Sequence, residues 1–274
     1  MKRKNIKHWG LFITLQLITL SLFAQGPNNT GTYYQSANGL KGKALKTAMF
    51  KIIRNHSQLS YDGLWTAFRT TDMREDGKVW DMYSCTTNFR FGTDQAGSYK
   101  KEGDVYNREH SFPKSWFNDA KPMYTDLVHL VPTDGYVNNR RSNYPFGENN
   151  GEKYKSNKGF SKLGKCTYPG YNGIVFEPND MYKGDFARIY FYMATAYEDK
   201  IANWSGSEFP KIASHDSYKP YKDWQMNMLI EWAKNTSGEA CRTWHSRMTT
   251  IRVYRAFHSS NLRQNLSILK AGTT

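Results

Sequence analysis

One short unit, residues 106–143, constrains the fold of this chain more than any other. Two runs within it, 106–112 and 127–131, are rich in aromatic or branched side chains and end at Pro113 and Pro132. Both read as strands, because proline lacks the N–H that would continue a ladder. Thr133 or Asp134 is a good N-cap, and the pattern predicts a helix through about residue 143, before Pro145 stops it. The order is strand, long loop, strand, helix.

The same unit concentrates reactive side chains. Glu109 and His110 are adjacent, so an extended backbone points them to opposite faces. One can hold a metal while the other reaches substrate from a bent strand end. Asn138 lies one turn into the helix, with Arg141 three residues later on the same face. Carboxylate and carboxamide oxygens suit a hard cation. A neutral imidazole of pKa ~6.5 suits a general base, and a guanidinium suits phosphate. The set fits hydrolysis of a phosphodiester with one hard metal ion.

These residues resemble the bacterial endonuclease I family of secreted and periplasmic nucleases, whose core is the ββα-metal, or His-Me, finger. The matching elements are Glu109-His110-Ser-x-Pro, Asp126-Leu-x-His129-Leu-x-Pro132 and Val137-Asn138-x-x-Arg141-x-Asn143. Upstream the resemblance takes in Asp76-Gly77-Lys78-Val79-Trp80-Asp81-Met82-Tyr83-Ser84. Downstream it takes in Gly184-Asp185-Phe186-Ala187-Arg188-Ile189-Tyr190-Phe191-Tyr192-Met193. It implies an α+β fold, with helices and short strands around the finger. It also implies that His110 is the general base and that Glu109 and Asn138 hold one Mg²⁺. Arg141 stands where the family keeps an arginine, and a phosphate clamp is the role expected of it. Arg108 and Lys114 are further candidate nucleic-acid contacts. Arg140 is either a phosphate contact or a solvated helix residue.

Residues 1–24 read as a signal peptide. Lys2, Arg3, Lys4 and Lys7 precede an apolar run at 11–23, and Ala24 precedes a plausible cut. The run is shorter than a spanning helix needs, so no stable membrane association is expected after cleavage. The product is expected in the secreted or periplasmic space. Residues 25–239 and the tail 240–274 are expected to form one monomeric domain. The formal charge is +14, and the four leader cations reduce it to +10 for the rest. Six of those positive charges fall in 240–274, which has no acid. The basic balance is therefore a weak argument for a nucleic-acid partner, and the motif carries that inference. The tail also lacks the closing segment usual in the resembling family, so it either has diverged or follows a change of reading frame.

Three cysteines, Cys85, Cys166 and Cys241, have no spacing of a zinc site. Within the region of family resemblance, Cys85 and Cys166 are the expected pair. Leu45, Met49 and Ile53 predict a helix to about residue 55. Phe186, Ile189, Tyr190, Met193 and Tyr197 predict another, and Trp224, Met228 and Trp232 a third, all as core stripes. Residues 79–84 read as a strand. Residues 143–173, with lysines interleaved among Tyr154, Phe160 and Tyr168, read as a long surface loop that either meets nucleic acid or is simply solvated. His129 is expected to orient the hairpin, near Asp126.

The leading expectation is an exported Mg²⁺-dependent endonuclease acting on DNA, with RNA as a second substrate and little sequence preference. No recognition helix of a sequence-reading motif is present in the pattern. Two alternatives remain open at this point: a catalytically weak nucleic-acid-binding protein and a metal phosphodiesterase for small substrates.

Overall fold

The computed structural model describes residues 32–56, 58–85 and 88–235. The leader 1–24 and the tail 240–274, with Cys241, lie outside the described residues. The architecture is α+β, with five helices and two small antiparallel sheets among the described residues.

The central element is a helix, α4 (Asp180–Ala196), and its burial on nearly every side marks it as the core helix. The Asn179 side chain caps it by accepting from the Met181 N–H. The two helices that pack against it are α1 (Gly42–Ile53) and α5 (Asp223–Asn235). Leu45, Met49 and Ile53 of α1 and Trp224, Met228 and Trp232 of α5 are buried in the same core as Phe186, Ile189, Tyr190 and Met193. Each such large apolar side chain contributes about 1.5–3 kcal/mol on burial. The three expected stripes are therefore core. A further helix, α2 (Gly63–Thr71), had no expectation attached to it; Leu64 and Phe68 pack there with Leu130.

Strands β1 (Tyr106–His110) and β2 (Leu130–Asp134) form the antiparallel hairpin, followed at once by helix α3 (Gly135–Arg141). The register pairs Arg108 with Pro132, Glu109 with Val131 and His110 with Leu130. The second strand thus starts three residues later than expected and runs through Pro132. A two-stranded sheet has no third neighbour needing the missing proline donor, so Pro132 is tolerated mid-strand. The imidazole of His129, fully buried, contacts the Met123 carbonyl at 2.7 Å, and its backbone N–H donates to the Asp126 carbonyl. The Asp126 carboxylate accepts the Tyr192 and Tyr197 hydroxyls at 2.9 and 2.5 Å, tying the hairpin to α4.

Three sequence expectations need correction. Residues 143–173 are not one loop: β3 (Tyr154–Lys155) and β4 (Lys162–Lys165) pair in antiparallel order with β5 (Ile174–Glu177). Residues 79–84 are not a strand, because the Asp81 carboxylate accepts the Tyr83 and Ser84 N–H groups and bends the chain locally. Val79 makes a single bridge to Met73. Finally, Cys85 and Cys166 are both free thiols. Each thiol donates to the backbone carbonyl of another residue, Asn157 for Cys85 and Tyr168 for Cys166. No described helix is long and apolar enough to cross a membrane.

Candidate active site

Helix α3 is placed by Asp134, the last residue of β2. Its Oδ1 accepts the N–H groups of Tyr136 and Val137, and its Oδ2 accepts that of Gly103. Strand, helix and the 103 loop thus share one buried carboxylate. The helix opens on Gly135, where a Cβ would come within 3.0–3.2 Å of the Asn107, Tyr99 and Val105 side chains. Helix α3 then carries Asn138 and Arg141 back toward the end of β1. After Arg141, Ser142 turns with φ 52°, a conformation that costs a non-glycine residue energy.

Between β1 and α3 lies an open cleft of about 280 Å³. Glu109, His110, Asn138 and Arg141 all line it, with Arg108, Lys114 and Asn143. The hairpin and helix therefore bring the four principal candidates together. Tyr61, Tyr99 and Asn107 complete part of the wall and were not foreseen.

His110 is buried, with 5 % of its surface exposed. Its ring stacks on Tyr124, 5.2 Å between centroids, and Tyr124 stacks on Tyr61. Nε2 lies 2.9 Å from the Tyr124 carbonyl. A carbonyl only accepts, so Nε2 carries the hydrogen and Nδ1 keeps the lone pair. Burial, reinforced by the nearby His129, lowers the pKa to about 3. The ring is neutral at physiological pH.

Glu109 is buried as well. Its Oε1 accepts from the Tyr83 hydroxyl at 3.0 Å and from the Arg141 guanidinium at 2.9 Å. The Asn138 side chain is also hydrogen-bonded to this carboxylate. Burial raises the Glu109 pKa, against the opposing pull of Arg141, Tyr83 and Asn138. The carboxylate is thus short of positive charge for its degree of burial.

Arg141 is 1 % exposed. Besides Glu109, it donates to the carbonyls of His110 and Ser111 at 3.2 and 2.8 Å. The guanidinium thus braces the end of β1 while lining the cleft. Arg108 is similarly engaged. It donates to the Tyr61 carbonyl and Asp62, with its guanidinium 3.6 Å from the Tyr61 ring centroid and 4.3 Å from that of Trp65. Lys114 lines the cleft while paired with Asp119 at 2.9 Å. Arg140 is exposed, bonded to the Tyr136 hydroxyl at 2.6 Å, and is not among the residues lining the cleft.

Among the described residues, no three His, Cys, Asp or Glu side chains are grouped to hold a metal. The oxygen donors of the cleft are instead the Glu109 carboxylate and the carboxamides of Asn107, Asn138, Asn139 and Asn143. That set fits a hard cation of the Mg²⁺ type, which retains waters and accepts substrate oxygens in the remaining positions. It does not fit zinc, which needs nitrogen or sulfur ligands in greater number.

The model of the family described as endonuclease I matches residues 41–243. An extracellular ribonuclease of Bacillus amyloliquefaciens is 35 % identical over 212 residues, covering 75 % of this chain and 66 % of that protein. An extracellular ribonuclease of Bacillus subtilis strain 168 is 35 % identical over 229 residues, covering 81 % and 72 %. Endonuclease-1 of Buchnera aphidicola is 35 % identical over 103 residues, covering 37 % and 38 %. The chain spans about two thirds of the length of the first of these relatives.

Proposed function

Since the chain belongs to the endonuclease I family, we propose that it is an exported Mg²⁺-dependent endonuclease. It hydrolyses phosphodiester bonds in DNA, and in RNA as well, with little sequence preference. The observation that carries the reading is the tautomer-fixed His110 beside the Glu109 and Asn138 oxygen donors. In this reading the hairpin and α3 are the His-Me finger.

His110 Nδ1 takes a proton from the attacking water. The Tyr124 carbonyl holds the ring while the imidazolium forms, because Nε2–H donates to it in both states. Glu109 and Asn138 would hold one Mg²⁺, which would supply positive charge to offset that building on the phosphate and on the leaving 3′ oxygen. Arg141 opposes the burial-driven rise in the Glu109 pKa and holds the carboxylate in place. Lys114, at the cleft edge, contacts the substrate backbone, and an arginine face at Arg108 contributes charge nearby. The cleft is walled chiefly by polar and backbone groups without a base-reading helix, which suits contact with the common phosphate backbone.

Supercoiled plasmid, linear DNA and a structured RNA, each with EDTA or excess Mg²⁺, test the reading. Cleavage that needs Mg²⁺ and stops with EDTA is expected. Full cleavage in EDTA overturns the metal assignment, and no cleavage of any of the three overturns the nuclease reading. Export follows from the leader and accords with two relatives named as extracellular. Mass spectrometry of the exported protein is expected to place its N-terminus near Gln25, and sedimentation to give a monomer.

A further inference from the structure

Tyr83 lies outside the hairpin and helix, 26 residues before Glu109, yet it reaches the metal-side carboxylate directly. Its hydroxyl donates to Glu109 Oε1 at 3.0 Å, the same oxygen that receives Arg141. Two donors thus converge on one oxygen of a carboxylate that itself lines the cleft.

Tyr83 is itself held from both ends. The Asp81 carboxylate accepts its N–H at 2.7 Å, and its carbonyl accepts from the Ser161 hydroxyl at 2.8 Å. Its ring, fully buried, packs on Phe176 and Phe186 with centroids 4.8 and 5.7 Å away. Phe176 belongs to β5 and Phe186 to α4. Tyr83 thus links the second sheet and the core helix to the Glu109 carboxylate. A hydroxyl fixed in this way adds little flexibility of its own and constrains the rotation of the carboxylate it binds.

We propose that Tyr83 is a positioning residue for the metal site, holding the Glu109 carboxylate through Oε1 in the orientation in which it meets the cation. The inference rests on the metal reading above and extends it to a residue outside the finger. Partners of this kind tune metal affinity by about 10–100-fold.

The test is Tyr83→Phe, which keeps the ring in its packing and removes the hydroxyl. Isothermal titration of the full chain with Mg²⁺, or with Mn²⁺ as a stronger-binding probe, reads affinity without turnover. The variant is expected to bind about 10-fold or more weakly, and to recover parental kcat at saturating metal. A melt beside the titration shows whether the variant is folded; the buried hydroxyl has one partner to lose, so a modest fall in Tm is expected. A folded variant with parental metal affinity overturns the role of Tyr83 alone. So does a variant whose kcat stays low at saturating metal with parental affinity. A parent chain that takes up neither cation overturns the metal reading itself, which is a separate result.

Discussion

The Nε2 atom of His110 lies 2.9 Å from the main-chain carbonyl of Tyr124. That one contact fixes which ring nitrogen is basic, and it comes from the connection between β1 and β2 rather than from either strand. His110→Ala is expected to reduce turnover by ~10²–10⁴-fold, the usual contribution of a general base. Its metal affinity should match the parent. A folded His110→Ala chain cutting plasmid at the parental rate would contradict the mechanism.

Arg141 and Glu109 form an ion pair with 1 % and 7 % of their side chains exposed. Removing one partner strands a charge in the interior, at a cost of about 3–5 kcal/mol. Arg141→Met and Glu109→Ala are therefore both expected to lower the denaturation midpoint markedly. A loss of substrate affinity in Arg141→Met with an unchanged melt would instead mark Arg141 as a substrate contact. Stability should be measured in urea before any activity of these variants is interpreted.

Asp134→Ala removes the cap of α3 and the partner of the Gly103 amide at once. A lost cap alone costs about 0.5–2 kcal/mol. Asn138 lies in the following turn, so metal affinity is expected to fall together with stability. A variant that melts earlier but binds Mg²⁺ like the parent would show that the cap does not set the site.

Lys46 gives a pH dependence that is independent of the cleft. Burial lowers its pKa from 10.5 to about 8, against the pull of Glu198, 3.6 Å away. The unfolded chain therefore holds this proton more tightly than the folded one. The destabilising effect of the charge is complete below about 8 and is relieved as pH rises toward 10.5. The difference in unfolding free energy between the parent and Lys46→Met should shift in the parent's favour from pH 8 to pH 10. Several buried tyrosines also titrate at high pH, so it is the difference between the two proteins that isolates Lys46. A pH-independent difference would contradict the assignment.

The parts of the site legible in the sequence were those built by local rules. Asp134 caps the helix it precedes, and Glu109, His110, Asn138 and Arg141 fall within one hairpin-and-helix unit. The helical stripes were legible for the same reason, since apolar spacing reports burial directly. What was illegible depends on distant partners. Strands β3 and β4 are two and four residues long, and β4 is set by pairing with β5 rather than by alternation along 143–173. In 79–84 the aromatic and branched residues suggested a strand, but the Asp81 side chain competes for the N–H groups that a ladder would use. The burial of Arg141 was also hidden. Its motif position predicts proximity to the site, yet whether a guanidinium faces substrate or core depends on which carbonyls surround it.

Glu109 and His110 stand side by side on β1, opposite Val131 and Leu130. The chemistry therefore has a phase. Changing a neighbouring side chain alters the site by degrees, whereas deleting one residue within the strand would exchange the faces of base and ligand at a stroke. Mutation can explore this strand one side chain at a time, but not in length; drift in its composition is gradual, and drift in its length is all or none.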